Sequence, residues 1–297
     1  MKLKYYLIIL LFLLLLPALA LAYSAHTESL SAKSEKTLGL NYYYGRHGVK
    51  QDCSKAVYWW KKAAEQGNSD AQYDLGYAYW FGHGVKQNYS KAVYWYKKAA
   101  EQGNAGARYD LGYAYNYGKG VKQNYSKAVY WFKKAAEQGN VIANIYLGAA
   151  YNNGKGVMQN YSKAIYWFKK AAVQGNAYGQ FGLGVAYYFG RGVKQNYSKA
   201  IYWFRKAAKQ GNSGGQAYLG YAYYHGRGVK QNYSKAVYWF KKAATQGNVI
   251  GQFGLGLVYY FGYGVKQNYP KAIYWLKQSA AQGNPEARTI LNKIEHR

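Results

Sequence analysis

The chain has 297 residues, 50% hydrophobic and 20% aromatic with 39 tyrosines, which is ample apolar material for a packed fold and excludes a disordered chain. Its formal net charge of +29 comes from 40 basic against 11 acidic residues; this favours acidic partners and says nothing about fold. The single cysteine, Cys53, excludes a disulfide within the chain, so the core alone must hold it together.

Residues 1–22 carry the pattern of a signal peptide. Lys2 and Lys4 precede the apolar run LIILLFLLLL, and Ala20-Leu21-Ala22 supplies a small-x-small cleavage site. An uncleaved anchor is the competing reading, because Tyr5 to Tyr23 approaches the roughly 20 apolar residues of a spanning helix; Pro17 and the alanines favour cleavage. No other long apolar run follows, which predicts an exported mature chain with no transmembrane segment, periplasmic or secreted. Residues 23–37 read as an N-terminal linker.

From residue 38 onward the chain repeats itself. Val49, Val85, Val121, Val157, Val193, Val229 and Val265 lie 36 apart, and so do Trp59, Trp95, Trp131, Trp167, Trp203, Trp239 and Trp275. Within one copy, residues 70–81 place Ala71, Leu75, Ala78 and Tyr79 at helical spacing, and residues 90–102 do the same with Ala92, Trp95, Tyr96 and Ala99. Gly82 and Gly84 suit the end of the first helix, Asn88 the N-cap of the second, and Gln102-Gly103-Asn104 a stop followed by the next cap. Pro270 and Pro285 fall in first turns, where a missing N–H costs nothing. Such a hairpin cannot bury its apolar face alone, so neighbouring copies must stack. The prediction is an all-α fold, an α/α superhelical solenoid of about seven 36-residue helical hairpins over residues 38–284, closed by a capping helix at 285–297.

The motif A-x-x-x-L-G-x-x-Y-x-x-G-x-G-V-x-[QD]-[ND]-Y-x-K-A-x-x-W-x-x-K-A-A-x-Q-G-[ND], present at residues 71–104, closely resembles the Sel-1-like repeat, a relative of the tetratricopeptide repeat. The resemblance spans about residues 38–297. It implies an α/α solenoid used for protein–protein interaction and scaffolding, with many bacterial members exported and linked to the cell envelope or to host interaction. A cysteine-paired branch with penicillin-binding activity is disfavoured, since its disulfides have no counterpart here.

Columns that never change are read as packing: Leu75, Gly76, Tyr79, Ala92, Trp95, Ala100 and their counterparts. In hairpin solenoids of this type the first helix of each pair lines the concave face, and its variable columns are rich in tyrosine and amide. Tyr77, Trp80, Tyr113, Asn116, Tyr117, Asn152, Tyr188, Tyr221, Tyr224 and Tyr260 are therefore the expected partner-binding residues, because rigid amphipathic rings bury much area at low entropy cost. The plainer alternative is that several of them pack on the neighbouring copy. Glycine-rich first helices such as YGQFGLGVAYYF at 178–189 are expected to be the least rigid.

Lys86, Lys122, Lys194, Lys230 and Lys266 form a column expected to run as a basic ribbon toward an acidic partner; an ordinary solvated face is the plainer reading of the Lys91 and Lys98 columns, which belong to the repeat motif itself. The expected partner is an acidic protein or peptide, with an anionic envelope polymer or membrane surface as the alternative and nucleic acid disfavoured by export. No enzyme and no cofactor are expected. Residues 138–285 contain no aspartate or glutamate, which removes paired-carboxylate catalysis there, and the histidines His26, His47, His83, His225 and His296 are scattered without metal-ligand spacing. The Asn-Tyr-Ser triplets at Asn88, Asn124, Asn160, Asn196 and Asn232 match a glycosylation acceptor but sit in phase with the helix caps.

Overall fold

The computed structural model describes residues 30–295; the signal-peptide segment 1–22, His26 and His296 lie outside the described residues. The described residues form helices only: α1 (Ala32–Tyr44), α2 (Cys53–Glu65), α3 (Ser69–Phe81), α4 (Tyr89–Glu101), α5 (Ala105–Tyr117), α6 (Tyr125–Glu137), α7 (Val141–Asn153), α8 (Tyr161–Val173), α9 (Ala177–Phe189), α10 (Tyr197–Lys209), α11 (Ser213–His225), α12 (Tyr233–Ala244), α13 (Val249–Phe261), α14 (Tyr269–Ala281) and α15 (Pro285–Glu295). Odd-numbered helices up to α13 are the first of each hairpin and even-numbered ones the second. The expected linker at 23–37 is helical from Ala32 onward, where Ser31 caps α1 by accepting from the Ser34 N–H at 3.2 Å; residues 23–29 lie outside the described residues.

Consecutive helices pack antiparallel as a solenoid of hairpins, in two compact units, Met1–Ala107 and Arg108–Arg297. In the second unit the first helices of neighbouring hairpins touch each other as well, α9 with both α7 and α11, and α11 with α13.

The repeated loop is repeated because each of its residues closes a particular backbone gap. At the second helices Asn88, Asn124, Asn160, Asn196, Asn232 and Asn268 each accept from the N–H three residues on at 2.8–2.9 Å, so the glycosylation-like triplets are N-caps. The glutamine before each cap reaches back: Gln87, Gln123, Gln159, Gln195, Gln231 and Gln267 donate at 2.8 Å to a carbonyl at the end of the first helix, one of the acceptors a helix C-terminus leaves unpaired. Gly82 takes the left-handed conformation at φ 77° that ends α3. Gly84 sits so close to the start of α2 in the preceding hairpin that a Cβ there would overlap the Cys53 carbonyl, and Gly156, Gly192, Gly228 and Gly264 repeat this approach against Tyr125, Tyr161, Tyr197 and Tyr233. The first loop carries one extra residue, and the chain absorbs it by placing His47 at φ 54°.

Of the expected packing columns, Leu75, Gly76, Ala92 and Ala100 are buried, but the ring column of the second helices lies one residue past the tryptophans. Trp95, Trp131, Trp203 and Trp239 are half-buried, while the next position, Trp60, Tyr96, Phe132, Phe204, Phe240 and Leu276, is buried with the alanines around it; in α8 the order is reversed, with Trp167 buried and Phe168 half-buried. One residue turns a helix by about 100°, and that rotation leaves the tryptophans at the edge of the interface. Opposite each core side chain stands a glycine of the first helix: a Cβ on Gly76, Gly112, Gly184, Gly220 or Gly256 would lie within 2.7 Å of Tyr96, Phe132, Phe204, Phe240 or Leu276. A Cβ on Gly182, Gly214 or Gly254 in the glycine-rich helices would also come within 2.7 Å of an aromatic ring, so their small size serves close packing.

An amide pair, buried on its first-helix side and exposed on the other, locks the far end of the hairpins. Gln102 donates to Gln72 at 2.8 Å in the first unit; Gln210, Gln246 and Gln282 donate to Gln180, Gln216 and Gln252 at 2.8–2.9 Å in the second. At the hairpin of α7 and α8 the shorter Asn144 falls short: its Oδ1 is buried without a partner, and Gln174 turns to the Lys170 carbonyl. Asn144→Gln should restore the pair and raise stability by about 1 kcal/mol, read as a higher urea midpoint at unchanged slope.

Candidate functional site

In the first unit, Tyr77 packs on Phe81 at 4.5 Å and on the His83 ring at 5.8 Å, while the Tyr43 hydroxyl and His83 Nδ1 share a hydrogen bond of 2.9 Å. Trp80 stands edge-on to Tyr89 at 4.9 Å. Beneath them Asp74 has a buried Oδ2 without a hydrogen-bond partner, beside the Lys36–Asp70 pair at 4.0 Å. Burial pushes the Asp74 carboxyl up to about 6, with Lys36 pulling it down and Asp70 adding to the rise.

In the second unit, Tyr113 lies against Tyr117 at 4.5 Å and Tyr146 at 6.3 Å, and the Tyr117 and Tyr146 hydroxyls are 3.4 Å apart. Asn116 and Asn152 are half-buried, and Asn152 donates to Asn153 Oδ1 at 2.8 Å. Tyr221 and Tyr224 flank His225, at 4.3 and 4.8 Å, and the Arg227 guanidinium lies 5.5 Å over the Tyr221 ring. Burial and Arg227 both lower the His225 pKa. Tyr260 stands edge-on to Phe261 at 4.8 Å and Tyr269 at 5.7 Å.

Tyr188 requires a correction. It is 2% exposed, wedged among Tyr197, Phe204, Tyr218 and Tyr221, and its hydroxyl accepts from Arg227 Nη1 at 3.0 Å. It cannot meet a partner from that position, because residue 227 of the next loop folds over it. Tyr146 and Tyr218 likewise pack on the preceding copy.

The same face holds openings whose floors the sequence reading missed. One of about 210 Å³ is lined by Phe168, Phe181, Gly182, Val185 and Arg191, and one of about 430 Å³ by Tyr221, Tyr224, Arg227, Phe240, Phe253, Gly254 and Leu257. The signal that could have found them is an alternation at one first-helix column, Tyr146, Gly182, Tyr218, Gly254.

Lys86, Lys122, Lys194, Lys230 and Lys266 are all exposed, with Met158 standing in the column at 88% exposure. Lys86 borders a cleft with Lys91, and Lys230 one with Arg205 and Lys235. The second helices carry another ladder, unnoticed in the sequence reading. Tyr94, Tyr166, Tyr202 and Tyr238 are each about half exposed, and Lys98, Lys170, Lys206 and Lys242 sit 4.7–4.9 Å over their rings and within 6 Å of the adjacent tryptophans. This is where the tryptophan column went: it supports lysines at the surface. Among the described residues no group of three histidine, cysteine or acidic side chains could hold a metal, and no helix is long and apolar enough to cross a membrane.

The repeat register seen in the fold is matched by the Sel1 repeat pattern at residues 37–68, 69–104, 105–140, 141–176, 177–212, 213–248 and 249–284. The chain belongs to the Sel1 repeat family. Among solved structures, this Sel1 repeat chain is similar to c5321, a protective antigen present in uropathogenic Escherichia coli strains, at 40% identity and a TM-score of 0.76; the alignment covers 90% of the present chain and 57% of the antigen. It thus spans little more than half of that protein's length. It is also similar to a Sel1 repeat protein from Oxalobacter formigenes, at 34% identity and a TM-score of 0.69, covering 90% of this chain and 78% of the other. No curated protein matches it.

Within this Sel1 chain, Tyr188 is a core residue, so Tyr188→Ala should cost about 3–5 kcal/mol of stability in denaturant unfolding. Asp74 gives a pH signature. The folded chain holds its proton more tightly than the unfolded chain, so its contribution makes stability fall as pH climbs from about 4 to about 6 and leaves a constant penalty above. Asp74→Asn should remove that fall and gain about 2 kcal/mol at pH 7, compared by thermal melts across the range.

Proposed function

We propose that the protein is an exported, non-catalytic scaffold that holds a protein or peptide partner, acidic in character, on the tyrosine-rich face of its first helices. Sel1 repeats typically serve as protein-interaction scaffolds. The observation that carries the reading is the aromatic surface left over after packing in the second unit: Tyr221, Tyr224 and Tyr260 keep part of their rings accessible, Phe189 and Phe261 are 45% and 48% exposed, and Phe189, Tyr221 and Tyr224 line an opening. Contact between successive first helices supports placing this face on the concave side. Rings with a polar tip over an apolar floor are the composition of interaction hot spots. Export rests on the signal-peptide pattern at 1–22, and a protective antigen among the similar structures accords with it.

A second reading is favoured by the exposed Lys86, Lys122, Lys194, Lys230 and Lys266 and by the absence of any acid in residues 138–285: attraction of an anionic envelope polymer or membrane surface. The two readings part in one experiment. Crosslinking mass spectrometry on the chain in its source cells should place partner crosslinks on α9, α11 and α13. Changing Tyr221, Tyr224 and Tyr260 to serine should cut partner recovery at least about tenfold with the helical circular dichroism intact. Recovery that ignores the tyrosines and collapses with salt, or with the five lysines changed to glutamine, establishes the second reading instead.

A further inference from the structure

We infer that the cleft between α10, α11 and the start of α12 binds a phosphate group, held by Arg205, Lys230, Lys235 and the Tyr223 hydroxyl. This rests on the second reading, in which anions meet the exposed lysine column, and adds a discrete site and the kind of group it takes.

The cleft measures about 500 Å³ and is lined by those four side chains with Gln231 and Asn232. Its walls are tied down by the loop chemistry of the repeat. The Asn232 N–H donates to the Tyr223 carbonyl at 2.9 Å, Asn232 Oδ1 accepts from the Lys235 N–H at 2.8 Å, and Gln231 donates to the Tyr224 carbonyl at 2.8 Å. Arg205 reaches across from the preceding hairpin and donates from Nη2 to the Tyr223 hydroxyl at 3.2 Å, while Lys235 Nζ stands 5.5 Å over the Tyr223 ring. The hydroxyl accepts that bond, so its own hydrogen is left to donate, and Arg205 spends only one of the five N–H groups of a guanidinium. Three positive charges around one opening repel each other, and an arriving anion relieves that repulsion.

The corresponding cleft of the first unit, of about 380 Å³, is lined by Tyr79, Lys86 and Lys91, with Lys91 Nζ 5.4 Å over the Tyr79 ring. In the place of Arg205 it has Lys61, which pairs with Glu65 at 3.8 Å; Lys97, one copy further on, pairs with Glu101 in the same way. One helical turn after Arg205 the column carries Lys209 instead, and residues 138–285 contain no acid at all. The column is lysine at 61, 97, 133, 169, 241 and 277, so arginine stands only where this cleft has lost its carboxylate and gained a tyrosine hydroxyl as its anchor.

The donor set selects the group. A carboxylate brings one charge and two oxygens, which a guanidinium satisfies alone in a bidentate contact. A phosphate monoester brings a charge of about −1.5 to −2 and three strong acceptor oxygens, and it is the group that uses Arg205, both lysines and the Tyr223 hydroxyl together.

The test titrates inorganic phosphate, glycerol 3-phosphate and glycerate into the whole mature chain by calorimetry. The expected result is saturable binding of both phosphates, at least about tenfold tighter than glycerate. Arg205→Gln should weaken glycerol 3-phosphate about tenfold, and Tyr223→Phe, which keeps the ring, about threefold. Lys209→Glu should weaken it as much as Arg205→Gln does, by offering Arg205 the carboxylate that Lys61 and Lys97 have; Lys170→Glu, the same change of charge on α8, should leave it within about twofold. Arg205, Lys170 and Lys209 are exposed, so the helical circular dichroism should stay intact in these variants. Absence of saturable phosphate binding, glycerate bound as tightly as the phosphates, or affinity untouched by Arg205→Gln and Tyr223→Phe overturns the inference. Vesicles of phosphatidylcholine with phosphatidic acid separate the sources. Vesicle binding lost in Arg205→Gln assigns the group to a lipid headgroup, and no vesicle binding beside intact binding of glycerol 3-phosphate assigns it to a small phosphate; both leave the site standing. Vesicle binding that collapses with the five lysines changed to glutamine, together with phosphate affinity that ignores Arg205→Gln, keeps the second reading and rejects the site, whereas no binding of vesicles or soluble phosphates rejects both.

Discussion

Each hairpin depends on one close approach: a glycine of the first helix set against a large side chain of the second. Gly76 with Tyr96, Gly184 with Phe204 and Gly220 with Phe240 leave no room for a Cβ, so the two helices are held at the distance the ring allows. Interiors are packed to the density of organic crystals and respond to a single methyl group, so this contact fixes the distance between the two helices throughout the repeat. The loop then has one admissible path. Its asparagine, glutamine and glycines each meet a backbone group whose position that distance determines, and every copy spells them alike.

What varies is what the constraint leaves free. The first-helix column two residues before the hairpin glycine changes from Tyr146 to Gly182 to Tyr218 to Gly254, and it faces the second helix of the preceding copy and not its own. Side-chain identity at this column of the first helices is thus set apart from the contact that holds each hairpin together. The second helices show the opposite economy: Lys98 over Tyr94 and Trp95 recurs in register, so positive charge is carried on rings that lie at the edge of the core.

The fold was legible from periodicity and punctuation. Thirty-six-residue spacing of valine and tryptophan, asparagine before each second helix and glycine after each first one fix helix number, order and ends, because caps and turns are local interactions between residues a few positions apart. The site was legible only in part. Tyr221, Tyr224 and Tyr260 keep an accessible face, but Tyr188, identical in type and column to Tyr224 and Tyr260, is sealed by Arg227 from the next loop. No local signal distinguishes these tyrosines; the difference lies in a residue more than one repeat away.

The sequence by itself therefore determined the architecture, the caps, the excess of positive charge and the lack of acids over half the chain, all of which follow from composition and short-range spacing. Tertiary structure alone decided which of two adjacent aromatic columns fills the core, since a rotation of about 100° separates Trp95 from Tyr96 and the repeat motif holds both constant. It also decided which tyrosines remain open and that Phe168 is only half-buried, because those outcomes depend on side chains brought together from different copies.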